Sequence, residues 1–315
     1  MADLHASTGG ARRIGDVPAG EFARRLARPG VTTAIGPFAV RFTCGIPSVA
    51  RDVRWMYAAH RVCPETELVD LGIEIRPVRG PRRWIKPQIH VLIEDVPQYN
   101  PLPAEFGSAA FEWSFNLAMA SRTHQHLVLH AGVVARDGRA VVLPAEPGAG
   151  KSTLSAALMA SGWRLLSDES TVLGPDDGVL AVPRPVMLKG PSTALIRTRW
   201  PSLAMTPPRL APPDVDGPLC LLRPTDASVL LADEPARVRW VVFPRYREGA
   251  STTCSRLDKG PAFIRLAQNA LNYAVRGVAG FEQLTRVVDR ADCYAFEYSD
   301  LDEALAFFER LAAEA

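Results

Sequence analysis

The stretch Ala145 to Ser152, A-E-P-G-A-G-K-S, constrains this chain more than any other. A run of strand formers, Ala140 to Leu143, leads into it, and a helical pattern from Thr153 to Ser161, closed by Gly162, follows. A glycine-rich turn between a buried strand and a helix start aims successive backbone N–H groups, and the positive end of the helix, at one point, which suits a polyphosphate. Gly148 and Gly150 stand where the chain must turn. Ala145 occupies the place where such loops usually begin with glycine, and a methyl group is tolerable there at negative φ. The cradle is therefore expected to comprise Ala145, Glu146, Pro147, Gly148, Ala149, Gly150, Lys151, Ser152 and Thr153, with Lys151 reaching the outer phosphates and the Ser152 hydroxyl holding Mg2+. The competing reading is a chance Gly-Lys string in a tight turn. The order strand, turn, helix speaks for the cradle and leaves the reaction open.

With 315 residues, 47% of them hydrophobic, the chain can fill one large domain or two modest ones. Lys plus Arg (36) nearly balance Asp plus Glu (34), so no chain-wide field draws it to nucleic acid. Arg12, Arg13, Arg24, Arg25 and Arg28 form a local basic cluster that reads as a solvated face. Cys44, Cys63, Cys220, Cys254 and Cys293 are scattered, odd in number and without a CxxC pair, which argues against a disulfide framework or a zinc ribbon and fits a reducing cytosol. The N-terminus lacks the apolar core of a signal peptide, and no apolar run approaches a bilayer span. A soluble cytoplasmic protein without nucleic-acid or membrane partners is expected.

In order along the chain, residues 1–30 read as a mobile segment with one short helix, Glu21 to Ala27. Residues 31–122 read as a small α+β recognition unit, with strands Phe38 to Phe42, Leu68 to Ile75 and Gln88 to Ile93 and helices Val53 to His60 and Ser108 to Ala120. Its basic connection, Arg76 to Pro87, reads as a wet loop. Residues 123–315 hold the cradle. They open with L-V-L-H-A-G-V-V-A, and Asp137-Gly138 is a hairpin signal that puts His130 on the strand before the one feeding the cradle. Trp163 to Ser167 reads as a strand ending in Asp168 and Glu169, beside the cradle strand. There the two carboxylates would hold Mg2+, and one could take a proton from an incoming hydroxyl; an ordinary acidic turn is the alternative.

Further on, Val179 to Leu188 continues the sheet at an edge, Ser192 to Trp200 is a short helix, and the Pro-rich Thr206 to Pro218 is an exposed loop and candidate lid. Val238 to Phe243 is an apolar strand followed by the charged turn P-R-Y-R-E-G. Pro261 to Val275 reads as a helix, with Asp258-Lys259-Gly260 placing a cation at its start. Ser299 caps a last helix, Leu301 to Ala313, with Asp302 at the capping-box position.

His124, His126 and His130 share parity and would project from one face of a strand, but no nearby Cys or acid completes a zinc site. His130 alone aims toward the phosphates; a satisfied core imidazole is the other reading. No N-K-x-D or L-S-G-G-Q string occurs, so guanine-nucleotide switches and transporter ATPases drop out and a kinase-like branch remains.

L-H-A-G-V-V, P-G-A-G-K-S and R-L-L-S-D-E together resemble the core of the HPr kinase/phosphorylase family. V-V-F-P-R-Y at 241–246, A-L-N-Y at 270–273 and G-F-E-Q-L at 280–284 resemble its HPr-kinase-related kinase A group. The resemblance implies an α/β fold with a P-loop core like that of phosphoenolpyruvate carboxykinase, a mixed sheet, and ATP and Mg2+ as cofactors. It implies His130 as the active-site histidine, Asp168 as the base for a substrate serine, and Glu169, in place of a second Asp, on the metal with Asp168 and Ser152. The family's later arginine has no clean match; Lys259, Arg245 and Arg247 are candidates. Its E-x-R-G-x-G signature is absent around Pro185 to Gly190, so the resemblance does not carry over HPr as the substrate or reverse phosphorolysis, and both stay open. A Ser-bearing protein or small peptide, such as a ribosomally made peptide, and a homo-oligomeric assembly are the implied partners. A shikimate-kinase-type small-molecule kinase and a non-catalytic nucleotide-binding regulatory module stay open.

Overall fold

The computed structural model describes residues 12–81, 85–146, 148–209 and 217–314. Expectations for residues 1–11, for part of the basic connection, for Pro147 and for most of the candidate lid fall outside them. The chain divides into two compact units, 1–111 and 112–315. The division lies within helix α3 (Gly107–Arg122) rather than after it, so a boundary at 122/123 does not coincide with it.

The first unit contains helices α1 (Ala19–Ala27) and α2 (Pro47–Met56) and strands β1 (Val31–Ile35), β2 (Phe38–Cys44), β3 (Leu71–Pro77), β4 (Gln88–Ile93), β5 (Val96–Pro97) and β6 (Leu102–Pro103). The sheet runs β1-β2-β3-β4-β5, with β6 also on β4, and only β2 and β3 are parallel. Residues 12–30, read from sequence as part of a mobile segment, are built into this unit: Ile14 and Leu26 are fully buried, and Ile14 N–H donates to His60 O at 3.0 Å. β1 escapes sequence reading because V-T-T-A-I is buried on both faces and so shows no alternation. Helix α2 starts at Pro47, before Val53, because proline suits a first helical turn.

The second unit follows as β7 (Leu127–Arg136), β8 (Arg139–Pro144), α4 (Lys151–Ala160), β9 (Arg164–Ser167), β10 (Ser170–Leu173), β11 (Val179–Leu180), β12 (Val186–Lys189), α5 (Pro191–Arg199), β13 (Leu219–Leu222), α6 (Asp226–Leu230) and β14 (Arg237–Tyr246). It closes with β15 (Thr253–Arg256), α7 (Lys259–Gln268), α8 (Tyr273–Arg290), β16 (Asp292–Tyr298) and α9 (Leu301–Ala313). Its main sheet is mixed, in the order β11-β10-β7-β8-β14-β16-β15, with β9 also on β7; β8, β14 and β16 are mutually parallel and the other pairs antiparallel. Asp137 and Gly138 take φ of 50° and 73°, the left-handed pair that a two-residue β7–β8 hairpin requires.

Alternation along the central strands supplies both layers. Val141 and Leu143 join α4, α5 and α9 on one face, while Ala140 and Val142 join α7 and α8 on the other. Helix α4 is apolar nearly all round, with Leu154, Ala156, Ala157 and Leu158 fully buried, as a helix enclosed by the core must be.

Several elements differ from their sequence reading. The stretch Val179 to Leu188 breaks at Pro183 and Pro185: β11 edges the main sheet, whereas β12 pairs with β13 in a separate two-stranded sheet. β14 continues through Pro244 to Tyr246, because its pairing with β8 ends at Val241 and the remaining edge tolerates a proline. The helix expected over Pro261 to Val275 stops at Gln268, since Asn269 to Asn272 leave it to bond β7. His130 N–H donates to Asn269 O (2.6 Å) and Leu271 N–H to Val128 O (2.8 Å). The buried Asn272 amide accepts from Val128 N–H (3.0 Å) and donates to Thr123 O (2.9 Å) and His126 O (2.8 Å). Helix α9 is capped by Asp300, whose carboxylate accepts from the N–H groups of Asp302 and Glu303, while Ser299 Oγ donates to Ala250 O. Among the described residues no helix is long and apolar enough to cross a membrane.

Asn272→Ala removes two buried hydrogen bonds and a part-buried one at once and orphans the Val128 N–H. It is expected to lower unfolding stability by about 2–3 kcal/mol in urea titration; a loss below about 0.5 kcal/mol would contradict this role.

Candidate active site

The site is assembled where β8 ends. Ala145 is buried, and Gly148 and Gly150 both take φ of 85°, conformations that any side chain would strain. At Gly150 space is limiting too, since an added Cβ would lie 2.6 Å from Tyr298 Oη and 3.0 Å from Tyr246 Cβ. Lys151 opens α4, no side chain caps the helix start, and Ser152 and Thr153 complete the first turn half-buried. The positive end of α4 therefore faces the glycine turn directly.

The acidic pair arrives by a route not read from the sequence. β9 is not beside β8; β7 separates them. Nor does the chain turn away after Ser167. β9 and β10 both run along β7, with Ser167 opposite Val133 and Ser170 opposite His130, and Asp168 and Glu169 occupy the break between them. Strict alternation would send these two side chains to opposite faces. The break lets both approach Lys151.

Lys151, only 7% exposed, donates from Nζ to Glu169 Oε2 at 3.2 Å, and His130 Nδ1 lies 3.3 Å from the same oxygen. Asp168 is 4% exposed, and neither of its carboxylate oxygens makes a hydrogen bond of ordinary geometry. The Ser152 and Ser155 hydroxyls lie close enough to favour its charge, yet Ser155 Oγ is likewise buried without a bonded partner. Burial pushes the Asp168 carboxyl up; Lys151 opposes this and the neighbouring Glu169 charge adds to it. Burial also acts to raise Glu169, but Lys151 and then His130 outweigh it and hold its carboxyl below the usual range. His130 is pushed down by burial and by Lys151, against the opposing pull of Glu169. Two adjacent carboxyls are thus driven apart in proton affinity, a pattern typical of sites that move protons.

Two residues of this arrangement were not singled out in the sequence. Gly132 lies on β7 under α4: a Cβ there would meet Ser155 Oγ at 2.7 Å and Lys151 Cγ at 3.4 Å, so a larger residue would press on the Ser155 hydroxyl. The G of L-H-A-G-V-V was the available signal. Arg184, between Pro183 and Pro185, is buried against Phe115 with its Nη1 3.0 Å from Glu112 Oε2, and it also donates to Asn116 Oδ1. Its charge helps to hold Glu169 ionised.

The basic candidates separate. Lys259 Nζ donates to the carbonyls of Val288 (2.7 Å), Asp289 (3.1 Å) and Ala291 (2.7 Å), which ties it to the end of α8 rather than to the cradle. Arg245 and Arg247 stand at the end of β14 against Glu297. His124 and His126 precede β7, and no group of three or more His, Cys, Asp and Glu among the described residues is arranged to hold a metal. Pro147 lies outside the described residues.

No family model matches the chain, and no curated protein does. Among solved structures, the Hpr(Ser) kinase/phosphatase from Coxiella burnetii is similar to 60% of this chain over 99% of its own, at 15% identity and a TM-score of 0.26. A superposition that loose fixes neither fold nor activity.

A carboxyl whose folded pKa is raised costs nothing below its unfolded value and a growing amount as the pH climbs through the folded one. Asp168→Asn should therefore stabilise the free protein by about 1–3 kcal/mol near neutral pH. The gain should shrink as the pH falls toward the ordinary carboxylate range and the wild-type carboxyl takes up its proton. Paired thermal melts near neutral pH and in that range check this, and a destabilised variant near neutral pH would contradict it.

Proposed function

We propose that the second unit is an ATP-dependent, Mg2+-requiring phosphotransferase that moves the γ-phosphoryl group to a hydroxyl, with a serine of a protein or small peptide as acceptor. The observation that carries this reading is the buried Lys151 ammonium at an uncapped helix start, behind two left-handed glycines, with Asp168 and Glu169 converging on it. The choice of a serine acceptor follows the resemblance of L-H-A-G-V-V, P-G-A-G-K-S and R-L-L-S-D-E to HPr kinases. The first unit would serve acceptor or partner recognition.

The donor set fits a divalent cation. Asp168 has two buried carboxylate oxygens without bonded partners, with the Ser152 hydroxyl nearby, and hard oxygen ligands of this kind suit Mg2+, which takes its remaining ligands from phosphates and water. When bound, the ion would neutralise charge on the outer phosphates.

Lys151 would exchange Glu169 for the outer phosphate oxygens, and the N–H groups of the turn and of the first turn of α4 would hold the rest of the chain of phosphates. The acceptor oxygen forms a bond to the γ-phosphorus as the bond to the β–γ bridging oxygen breaks. The hydroxyl proton passes to Asp168, and the nucleoside diphosphate leaves. The raised proton affinity of Asp168 suits it to that step. Exposure favours a second assignment: Glu169 is 29% exposed and stands beside His130, whereas the Asp168 oxygens are closed to solvent, so Glu169 is the carboxylate that a hydroxyl would meet first in this conformation.

The two assignments separate by pH. With Asp168 as base, the acid limb of turnover should lie above the ordinary carboxylate range; with Glu169 as base, it should lie below that range. The reading as a whole is tested with γ-labelled ATP and a lysate or candidate peptides. Label is expected on a hydroxyl of a polypeptide, and Lys151→Met and Asp168→Asn should each lower transfer by roughly 100-fold or more. Equal labelling by wild type and variants would remove both residues from the reaction. Transfer to a free metabolite, or ATP binding without any transfer, would replace the protein-kinase reading by a small-molecule kinase or a regulatory module.

A further inference from the structure

The glycine turn has two flanks. In the main sheet, β7 with β9 and β10 lies on one side of β8, and β14 followed by β16 lies on the other. The first flank carries Glu169, Asp168 and His130. The second carries two tyrosines, each the last residue of its strand, Tyr246 on β14 and Tyr298 on β16. Because β8, β14 and β16 are parallel, these residues stand at the edge of the sheet from which the turn emerges, the edge where open α/β sheets bind ligands.

The tyrosines differ in what they do. Tyr298 is buried, burial keeps its phenol protonated, and its hydroxyl donates to Gly150 O at 3.3 Å. Tyr246 is 46% exposed, although it too is tied to the turn: its N–H donates to Ala149 O at 3.0 Å, and its Cβ would lie 3.0 Å from a Cβ at Gly150. Its ring meets that of Tyr298 edge-on, 5.8 Å between centres and at 72°. A buried neighbour therefore fixes the attitude of the Tyr246 ring while nearly half of the residue remains open beside the cradle. Tyr298 is part of the buried core around α4 and α9, and Tyr246 stands outside it.

We propose that Tyr246 is the platform on which the base of the bound nucleotide stacks, with the polyphosphate running from this flank across the turn toward Lys151 and the acidic pair. This rests on the phosphate-cradle reading of the turn. If the terminal phosphate lies at the carboxylate flank, the nucleoside falls on the opposite one, where Tyr246 offers a flat apolar surface. Stacking on a ring depends little on which base is stacked, so Tyr246 would accept adenine and guanine alike. Arg245 and Arg247, held by Glu297, then belong to the nucleoside flank rather than to the transferring phosphate.

Calorimetric titration of wild type, Tyr246→Ala and Tyr246→Phe, each with ATP and with inorganic tripolyphosphate in the presence of Mg2+, tests this. Tripolyphosphate reports on the cradle without a base, and the backbone bond from residue 246 to Ala149 survives both substitutions. Tyr246→Ala should weaken ATP about 10-fold and leave tripolyphosphate unchanged, while Tyr246→Phe keeps wild-type affinity for both. Equal weakening of both ligands in Tyr246→Ala would reduce the residue to a buttress of the turn and overturn the proposal. Unchanged ATP affinity, or a wild type that binds tripolyphosphate as tightly as ATP, would overturn it too while leaving the cradle intact. Wild-type protein that binds neither ligand would overturn the cradle reading and this one with it.

Discussion

The second unit is organised around one ammonium group. Lys151 opens a helix whose end projects positive potential, is nearly closed off from solvent, and lies against two carboxylates of which only Glu169 bonds it. A buried charge survives when paired and otherwise forces its neighbours to compensate. Here one carboxyl compensates by staying ionised, and the other, Asp168, is driven toward its neutral form. The free protein thus carries an imbalance that a polyanion with its counter-cation would relieve, and such strain between stability and function is a recurrent feature of sites that do chemistry.

The fold makes that arrangement affordable by bringing backbone close to backbone. Gly132 lets α4 settle on β7, Gly150 lets the turn pass under two tyrosines, and the break between β9 and β10 turns adjacent carboxylates toward one lysine. The apolar girth of α4, buried between the sheet and helices α5 and α9, holds the helix start in place. The supporting contacts are distant in sequence: Asn272 and Asn269 fasten the His130 end of β7 along its edge.

Features that depend on a local rule were legible in the sequence. The hairpin at Asp137-Gly138, the left-handed glycines of the turn and the placement of His130 one strand earlier all follow from residues next to one another, while α4 starts at Lys151, two residues before the Thr153 read from the pattern. Where tertiary contacts decide, the sequence was mute or misleading. Pro261 to Val275 has a continuous helical pattern, but Asn269 to Asn272 gain more from bonding β7 than from staying helical. Lys259 sits at a helix start like a phosphate ligand, yet three carbonyls at the end of α8 claim it. Arg184 carries no motif; its link to the site exists only because Glu112 and Asn116 on α3 meet it in the folded unit.

The central claim is that the Lys151 ammonium is held by Glu169 only until phosphate replaces it. A crystal structure with a non-hydrolysable ATP analogue and Mg2+ measures this directly. The account predicts Lys151 Nζ on the terminal phosphate, released from Glu169, with an Asp168 oxygen bound to the ion directly or through one water. Phosphates bound elsewhere while Lys151 remains on Glu169 would contradict it.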